Sequence, residues 1–103
     1  MQRMYDRCCG LDLHKKVIVA CLLMLTAEGV HKEMRTFGTT LAELYRLRDW
    51  LKANGCQAVA MESTGVYWKP IWNVLEEEPW QLLLVNAQHI KAVPGRKVRR
   101  EVA

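Results

Sequence analysis

Hydrophobic and polar positions in the first third of the chain follow the two-residue period of β-strands. Apolar side chains dominate residues 8–14 and residues 17–26, and the second run ends at a turn signal in residues 27–29. Residues 30–37 then fit the two alternating faces of a half-exposed edge strand. One face holds Val30, Lys32, Met34 and Thr36, and the other holds His31, Glu33, Arg35 and Phe37. Three strands joined by short turns predict an antiparallel meander.

The next segment changes to the period of a helix. Thr40, with Glu43 three residues later, predicts a capping box at its start, and Asn54 followed by Gly55 predicts its end. Between these signals, the residues at helical spacing are Leu41, Leu44, Leu47, Arg48 and Leu51, with Tyr45 beside them.

Short apolar runs at residues 57–61 and 80–85 predict two further, buried strands. A second helix is predicted between them at about residues 67–78, because Pro70 is tolerated in a first turn and Pro79 ends a helix. Its apolar stripe is more typical of a core than of a base-stacking platform. The stripe consists of Trp68, Ile71, Trp72 and Leu75.

The predicted element order is β-β-β-α-β-α-β, which favours an α/β fold with a mixed sheet and helices packed on its faces. This is the order of the RNase H-like fold, whose known members add a helix after the fifth strand. Residues 86–93 have the pattern of a helix start, but Pro94 and Gly95 follow. We therefore expect residues 1–97 to form one incomplete domain without the final helix, followed by a divergent tail at residues 98–103.

Charge is distributed unevenly along the 103 residues, of which half are hydrophobic and a quarter charged, as in a folded protein. Residues 1–90 hold ten basic and ten acidic side chains, so the net charge of +4 comes from residues 91–103. Such a tail predicts a polyanion such as nucleic acid as a partner, although a solvated end with chance charges explains it about equally well. Its basic residues are Lys91, Arg96, Lys97, Arg99 and Arg100.

The four cysteines form no C-x-x-C pair and have no histidine at finger spacing, which argues against a structural zinc site. They are Cys8, Cys9, Cys21 and Cys56. Three of them lie in apolar runs, where a reduced cysteine behaves as a small buried hydrophobic residue. The longest apolar run, residues 17–25, is too short to span a bilayer and has no signal-peptide cleavage site after it. We therefore expect a cytoplasmic protein without a membrane segment.

Two acidic residues interrupt the apolar strands at positions suited to a metal site. Asp12 lies between leucines in the first strand, where an ionised carboxylate is costly unless a cation or hydrogen bonds compensate it, and Glu62 ends the fourth strand. If these strands are parallel neighbours ~4.8 Å apart, the carboxylates can share one cation, and oxygen ligands favour Mg²⁺. Taken singly, each acid is more typical of a turn or a helix cap; taken together, they favour catalysis at a metal.

Other polar residues near these acids are candidate contacts with a phosphate backbone. Lys15 and Lys16 follow Asp12 closely, and a role as solvated hairpin charges is equally compatible with the sequence. Ser63 and Thr64 can donate hydrogen bonds to phosphate, although capping of the next helix is the more common role. No catalytic role is predicted for the three histidines, which are His14, His31 and His89.

Three ordered motifs resemble one protein family. Residues 10–16 (GLDLHKK), 61–68 (MESTGVYW) and 85–91 (VNAQHIK), the last running on to residues 94–97 (PGRK), closely resemble the N-terminal domain of the DEDD transposases of insertion sequences, the IS110 group. The resemblance covers nearly all of residues 8–97. It implies a RuvC-like nuclease domain that acts on DNA with Mg²⁺ through four acids, guided by a structured RNA from its own element, with homo-oligomers in intact relatives.

By this resemblance, Asp12 matches the family's first acid and Glu62 its second, as catalytic and metal-binding residues. The other two acids follow an Asp-x-x-Asp pattern, and those positions hold Arg99 and Val102 here. The family's second, serine-bearing domain is not in this sequence. We therefore expect a truncated protein from an interrupted or frameshifted gene, because the codons for residues 98–101, read one nucleotide later, can encode Ser-Asp-Val-Lys. The alternative is a catalytically inactive remnant that binds nucleic acid.

A third hypothesis is half of an actin-like or sugar-kinase ATPase, whose first strand also carries Gly-x-Asp. Those folds place a phosphate loop of small residues directly after this strand, whereas this chain has the bulky His14, Lys15 and Lys16 there. The sequence therefore disfavours an ATPase.

We expect the chain by itself neither to cleave nor to exchange DNA, because two of four carboxylates are missing and metal affinity falls with ligand charge. Incubation with element-end DNA and Mg²⁺ or Mn²⁺ checks this expectation. Robust cleavage that disappears in Asp12→Asn contradicts it. The nucleotide sequence downstream of codon 97 tests the frameshift, and a shifted frame without family resemblance removes that idea.

Overall fold

The computed structural model describes residues 5–63 and 65–86, and seven elements follow one another there in the predicted order. The strands are β1 (Arg7–Leu13), β2 (Ile18–Thr26), β3 (Gly29–Phe37), β4 (Ala58–Ser63) and β5 (Gln81–Asn86). The helices are α1 (Leu41–Ala53) and α2 (Trp68–Leu75). Neither described helix is long and apolar enough to cross a membrane.

Some of the predictions fall on residues after β5, which ends at Asn86. They are the helix start continuing to residue 93, the missing final helix, the domain boundary at residue 97 and the tail at residues 98–103. All of them lie outside the described residues and stay predictions.

The five strands form one mixed sheet in the order β3-β2-β1-β4-β5. β1 and β3 both pair antiparallel with β2, so the predicted meander is confirmed. β4 joins the other side of β1 in parallel, and β5 joins β4 in parallel, each after a helical connection. β3 is consequently an edge strand of the sheet, as its alternating pattern predicts.

Strand alternation sends every second side chain of β1 toward the helices. Cys9, Leu11 and Leu13 are buried, whereas Gly10 and Asp12 between them are exposed. Both helices contribute to the same core, so they cover the same face of the sheet. Members of this core from the other elements include Ile18, Ala20, Leu22, Leu47, Leu51, Val59, Met61, Ile71 and Leu75. Within the described part of the chain, the opposite face of the sheet carries no helix.

α1 begins and ends where the sequence predicts. The Thr40 hydroxyl accepts a hydrogen bond from the Glu43 backbone N–H at 3.3 Å. The Glu43 carboxylate in turn accepts from the backbone N–H of Gly38 at 3.0 Å, a bond that contributes most to holding the pKa of Glu43 below its ordinary value. The helix ends at Ala53 with Asn54 as its C-cap, and Gly55 adopts the left-handed conformation, with φ of +66°, that glycine tolerates best.

Burial in α1 differs from the helical spacing of the sequence at three positions. Leu41, in the first turn, and Tyr45 are exposed, whereas Trp50, which lies outside the spacing pattern, is buried. The ring centroid of Trp50 lies 5.6 Å from that of Phe37 at the end of β3. Helical periodicity does not reveal this partner, because Phe37 belongs to another element and reaches Trp50 only in the folded chain.

α2 is shorter than the predicted span of residues 67–78. It ends at Leu75, whose carbonyl accepts a 2.7 Å hydrogen bond from the indole N–H of Trp80, so the helix stops before Pro79 is reached. Its apolar stripe belongs to the core, as predicted. Ile71, Trp72 and Leu75 are buried, and Trp68 packs against them.

Replacing Thr40 by Ala removes the hydroxyl that accepts from the Glu43 N–H, and we expect the free energy of unfolding to fall by about 1 kcal/mol. Urea denaturation followed by far-UV circular dichroism measures this loss. Thr40→Ser keeps the acceptor and is the matched control, expected to stay close to the unsubstituted chain. Equal losses in both variants contradict a capping role.

Candidate functional site

The two predicted acidic residues lie directly opposite each other on neighbouring strands. Asp12 of β1 and Glu62 of β4 are register partners in the parallel pair. Each is the penultimate residue of its strand. Neighbouring strands lie ~4.8 Å apart, and register partners in a parallel pair point to the same face. The tertiary structure therefore places both carboxylates on the same face of the sheet, near the carboxyl ends of β1 and β4.

Alternating burial along both strands directs these acids away from the core. Leu11 and Leu13 flank Asp12 and are buried beneath the helices, so the side chain between them points to the opposite face. Met61 and Ser63 are buried on either side of Glu62 in the same way. The cost expected for an ionised carboxylate between two leucines does not arise at Asp12, because its side chain is 59% exposed.

A shallow cavity of about 380 Å³ lies on the open face beside the acids. Gly10 precedes Asp12 by two residues and is the register partner of Ala60, which precedes Glu62 by two. Small side chains at both positions leave space in the sheet surface next to the carboxylates. The rest of the lining is largely apolar and includes Val19, Cys21, Met34 and Val85.

His14, for which the sequence predicts no catalytic role, contacts one of the two acids. Its Nε2 lies 3.1 Å from Oδ2 of Asp12. Both side chains are about half exposed, at 53% for His14 and 59% for Asp12. The available signal was the spacing of two residues, which brings side chains to the same side of an extended chain.

The other predicted contacts with phosphate differ in their placement. Lys15 and Lys16 are exposed in the turn between β1 and β2, and the Lys15 carbonyl accepts from the Thr39 hydroxyl at 3.5 Å. Ser63 points to the core side, is 3% exposed, and exchanges hydrogen bonds with the backbone of Gly65. The remaining predicted residues lie outside the described part, and they are Thr64, Lys91, Arg96, Lys97, Arg99 and Arg100.

Ser63 also does not fill the alternative role of a helix cap. The N-cap position of α2 is Tyr67, which makes no side-chain capping hydrogen bond. The Ser63 hydroxyl instead stabilises the loop that follows β4, through the 3.3 Å bond that it accepts from the Gly65 N–H. Its burial separates it from the face that carries Asp12 and Glu62.

The donor set suits a hard cation bound by few protein ligands. Two carboxylates that face the same way fit Mg²⁺, which keeps several waters and accepts phosphate oxygens as ligands. Among the residues described, no group of three His, Cys, Asp or Glu side chains could enclose a metal ion. Two of the four thiols are poor metal ligands, because burial raises the pKa of Cys56 to about 11 and also raises that of Cys9.

These features define an α/β protein of the RNase H-like fold with a pair of carboxylates on neighbouring parallel strands. The sequence model of the DEDD transposases of the IS110 group, described as "Transposase", matches residues 9–101. The chain therefore belongs to this transposase family, which supports a role in DNA transposition.

One similar solved structure is an exopolyphosphatase from Cytophaga hutchinsonii, with a TM-score of 0.55 and 10% sequence identity. The similarity covers 80% of this chain and 35% of that one. At this identity the likeness shows the fold alone. No curated protein matches the sequence.

Two like charges directly opposite each other in a sheet repel. We therefore expect Glu62→Gln to raise the free energy of unfolding by about 0.3 kcal/mol in low-salt buffer with a chelator. Urea denaturation is the measurement, with Glu28→Gln in the exposed β2–β3 turn as the control for loss of one negative charge. A Glu62→Gln variant that is less stable than this control contradicts the arrangement.

Proposed function

We propose that Asp12 and Glu62 jointly hold a Mg²⁺ ion, at the position where intact relatives of this transposase domain act on the phosphodiester backbone of DNA. The observation that carries the proposal is their pairing in register on parallel strands, with both side chains on the open face. Family membership supplies the class of substrate, since transposition is a reaction of DNA.

The two acids would supply the fixed oxygen ligands, and the cavity beside Gly10 and Ala60 would leave space for the substrate phosphate. Mg²⁺, when bound, supplies charge stabilisation of phosphoryl oxygens and a more acidic bound water. Ligand binding at this end of the strands agrees with the general tendency of open α/β sheets to bind ligands outside the carboxyl ends of their strands.

Lys15 and Lys16 are suited to position the DNA backbone. β1 and β4 run in parallel, so the turn that follows β1 lies at the same end of these strands as both acids. The two ammonium groups are exposed there. Contacts of lysine with phosphate fix the register of a protein on DNA without reading its sequence. From the family resemblance we also propose two further partners, a guide RNA and other copies of the same protein.

A second candidate function is a nucleic-acid-binding domain without catalysis. It is favoured by Arg99 and Val102, which stand where the family pattern has its third and fourth acids. Both candidates bind DNA with an affinity that falls as salt rises, because phosphate contacts release counterions. Only the first requires a divalent ion held by Asp12 and Glu62 together.

Binding of Mn²⁺, measured by electron paramagnetic resonance on the purified chain, tests the shared site. We expect one site of weak affinity in the unsubstituted chain, because only two carboxylates hold the ion. In either Asp12→Asn or Glu62→Gln the affinity should fall by at least about tenfold more, because each variant removes a ligand of the same ion. The double variant should lose little more than either single variant.

Glu28→Gln is the matched control. It removes an exposed carboxylate in the turn between β2 and β3, which lies at the opposite end of these strands from Asp12. Two independent weak sites, each abolished by one variant only, contradict the shared ion. Unchanged affinity for Mn²⁺ in both single variants contradicts the metal site and favours the second candidate, a nucleic-acid-binding domain without catalysis.

A further inference from the structure

A backbone hydrogen bond in the turn after β1 supports the contact between His14 and Asp12. β1 ends at Leu13, and the His14 backbone N–H donates to the Val17 carbonyl at 2.9 Å, which closes the turn into β2. This hydrogen bond therefore fixes the backbone of His14, the first residue after the strand, and with it the point from which the imidazole extends. Its Nε2 reaches Oδ2 of Asp12 at 3.1 Å.

The direction of this hydrogen bond follows from the chemistry of the two groups. An ionised carboxylate can only accept, so Nε2 must carry the hydrogen and donate it to Oδ2. The imidazole thus occupies one of the two carboxylate oxygens. Within the described residues, Oδ1 has no protein partner and is free to bind a cation.

We propose that His14 is a positioning residue that orients the Asp12 carboxylate for metal binding. The inference rests on the proposed metal site. An aspartate that is 59% exposed can adopt several side-chain rotamers, and ordering it when a metal binds costs conformational entropy. A hydrogen bond to Oδ2 restricts these rotamers beforehand and leaves Oδ1 available. Hydrogen bonds to ligating carboxylates commonly support metal affinity in this way.

The competing explanation is that the contact is an exposed pair without consequence, as many surface ion pairs are. The two explanations differ in geometry. A positioning role needs a donor at the place of Nε2, whereas an inconsequential pair has no such requirement. Gln extends its amide nitrogen to about the reach of Nε2, and Asn extends it only to about that of Nδ1.

Three substitutions of His14 therefore separate reach from polarity: His14→Gln, His14→Asn and His14→Leu. His31→Leu is the matched control. His31 is an exposed histidine of β3 and the register partner of Met24, whose side chain points to the core side, so His31 lies on the face of the sheet opposite Asp12. Circular dichroism and thermal unfolding of all variants verify that the fold is kept. Since His14 is about half exposed and His31 is exposed, we expect all four variants to fold.

The first readout needs no metal. Scalar couplings across the Cα–Cβ bond of Asp12 report its rotamers, and nitrogen-15 NMR reports whether Nε2 of His14 carries the hydrogen. We expect one dominant Asp12 rotamer in the unsubstituted chain and in His14→Gln, and averaging over several rotamers in His14→Asn and His14→Leu. Equal rotamer averaging in all variants, or an Nε2 without hydrogen, overturns the proposal.

The second readout is the affinity for Mn²⁺. We expect it to fall about tenfold in His14→Leu and His14→Asn, the lower end of the usual range because the pair is exposed, and to stay within about threefold in His14→Gln. His31→Leu should bind as the unsubstituted chain does. Unchanged affinity in His14→Leu overturns the positioning role.

Failure of the proposed metal site has a different signature. In that case Mn²⁺ affinity is unchanged in Asp12→Asn and Glu62→Gln as well, which also overturns the positioning role toward a metal. An affinity lost in those two variants but kept in His14→Leu leaves the metal site intact and removes only His14 from it.

Discussion

The parallel pairing of β1 with β4 is the constraint on which the candidate site depends. Leu11 and Met61 are register partners and are both buried beneath the helices. Because side chains alternate, the next pair along, Asp12 and Glu62, must face the other way. A slip of one residue between the strands would turn the polar side chains of one strand, including its acid, toward the core. Burying them there is strongly unfavourable. Core packing therefore fixes the relative position of the carboxylates.

This arrangement has a cost in the absence of a cation. Two negative charges directly opposite each other on adjacent strands oppose the pairing that holds them. Small residues at Gly10 and Ala60 next to the acids give up packing area as well. Such departures from locally favourable choices are typical of functional positions. They occur together on the one face that the described helices leave open, which is consistent with a face used for binding.

The candidate site was predicted from the sequence in its principal residues but not in its details. Asp12 stands out because it interrupts an apolar run, and Glu62 because it ends one. The pairing of their strands is only a condition at the level of the sequence, and the observed parallel register meets it. The contact of His14 with Asp12 depends on how the chain turns after β1, and the burial of Ser63 depends on which face of β4 the helices cover. Residue type and spacing are compatible with both features but determine neither of them.

The sequence by itself determined the elements, because strand and helix periods, caps and turns are local properties of the chain. Thr40, Gly55 and the meander of the first three strands were all predicted on that basis. Only the tertiary structure decided the register between β1 and β4, the face that each strand turns to the helices and the partner of Trp50. These depend on contacts between residues far apart in sequence, whose energies come from packing and cannot be summed until the elements are brought together.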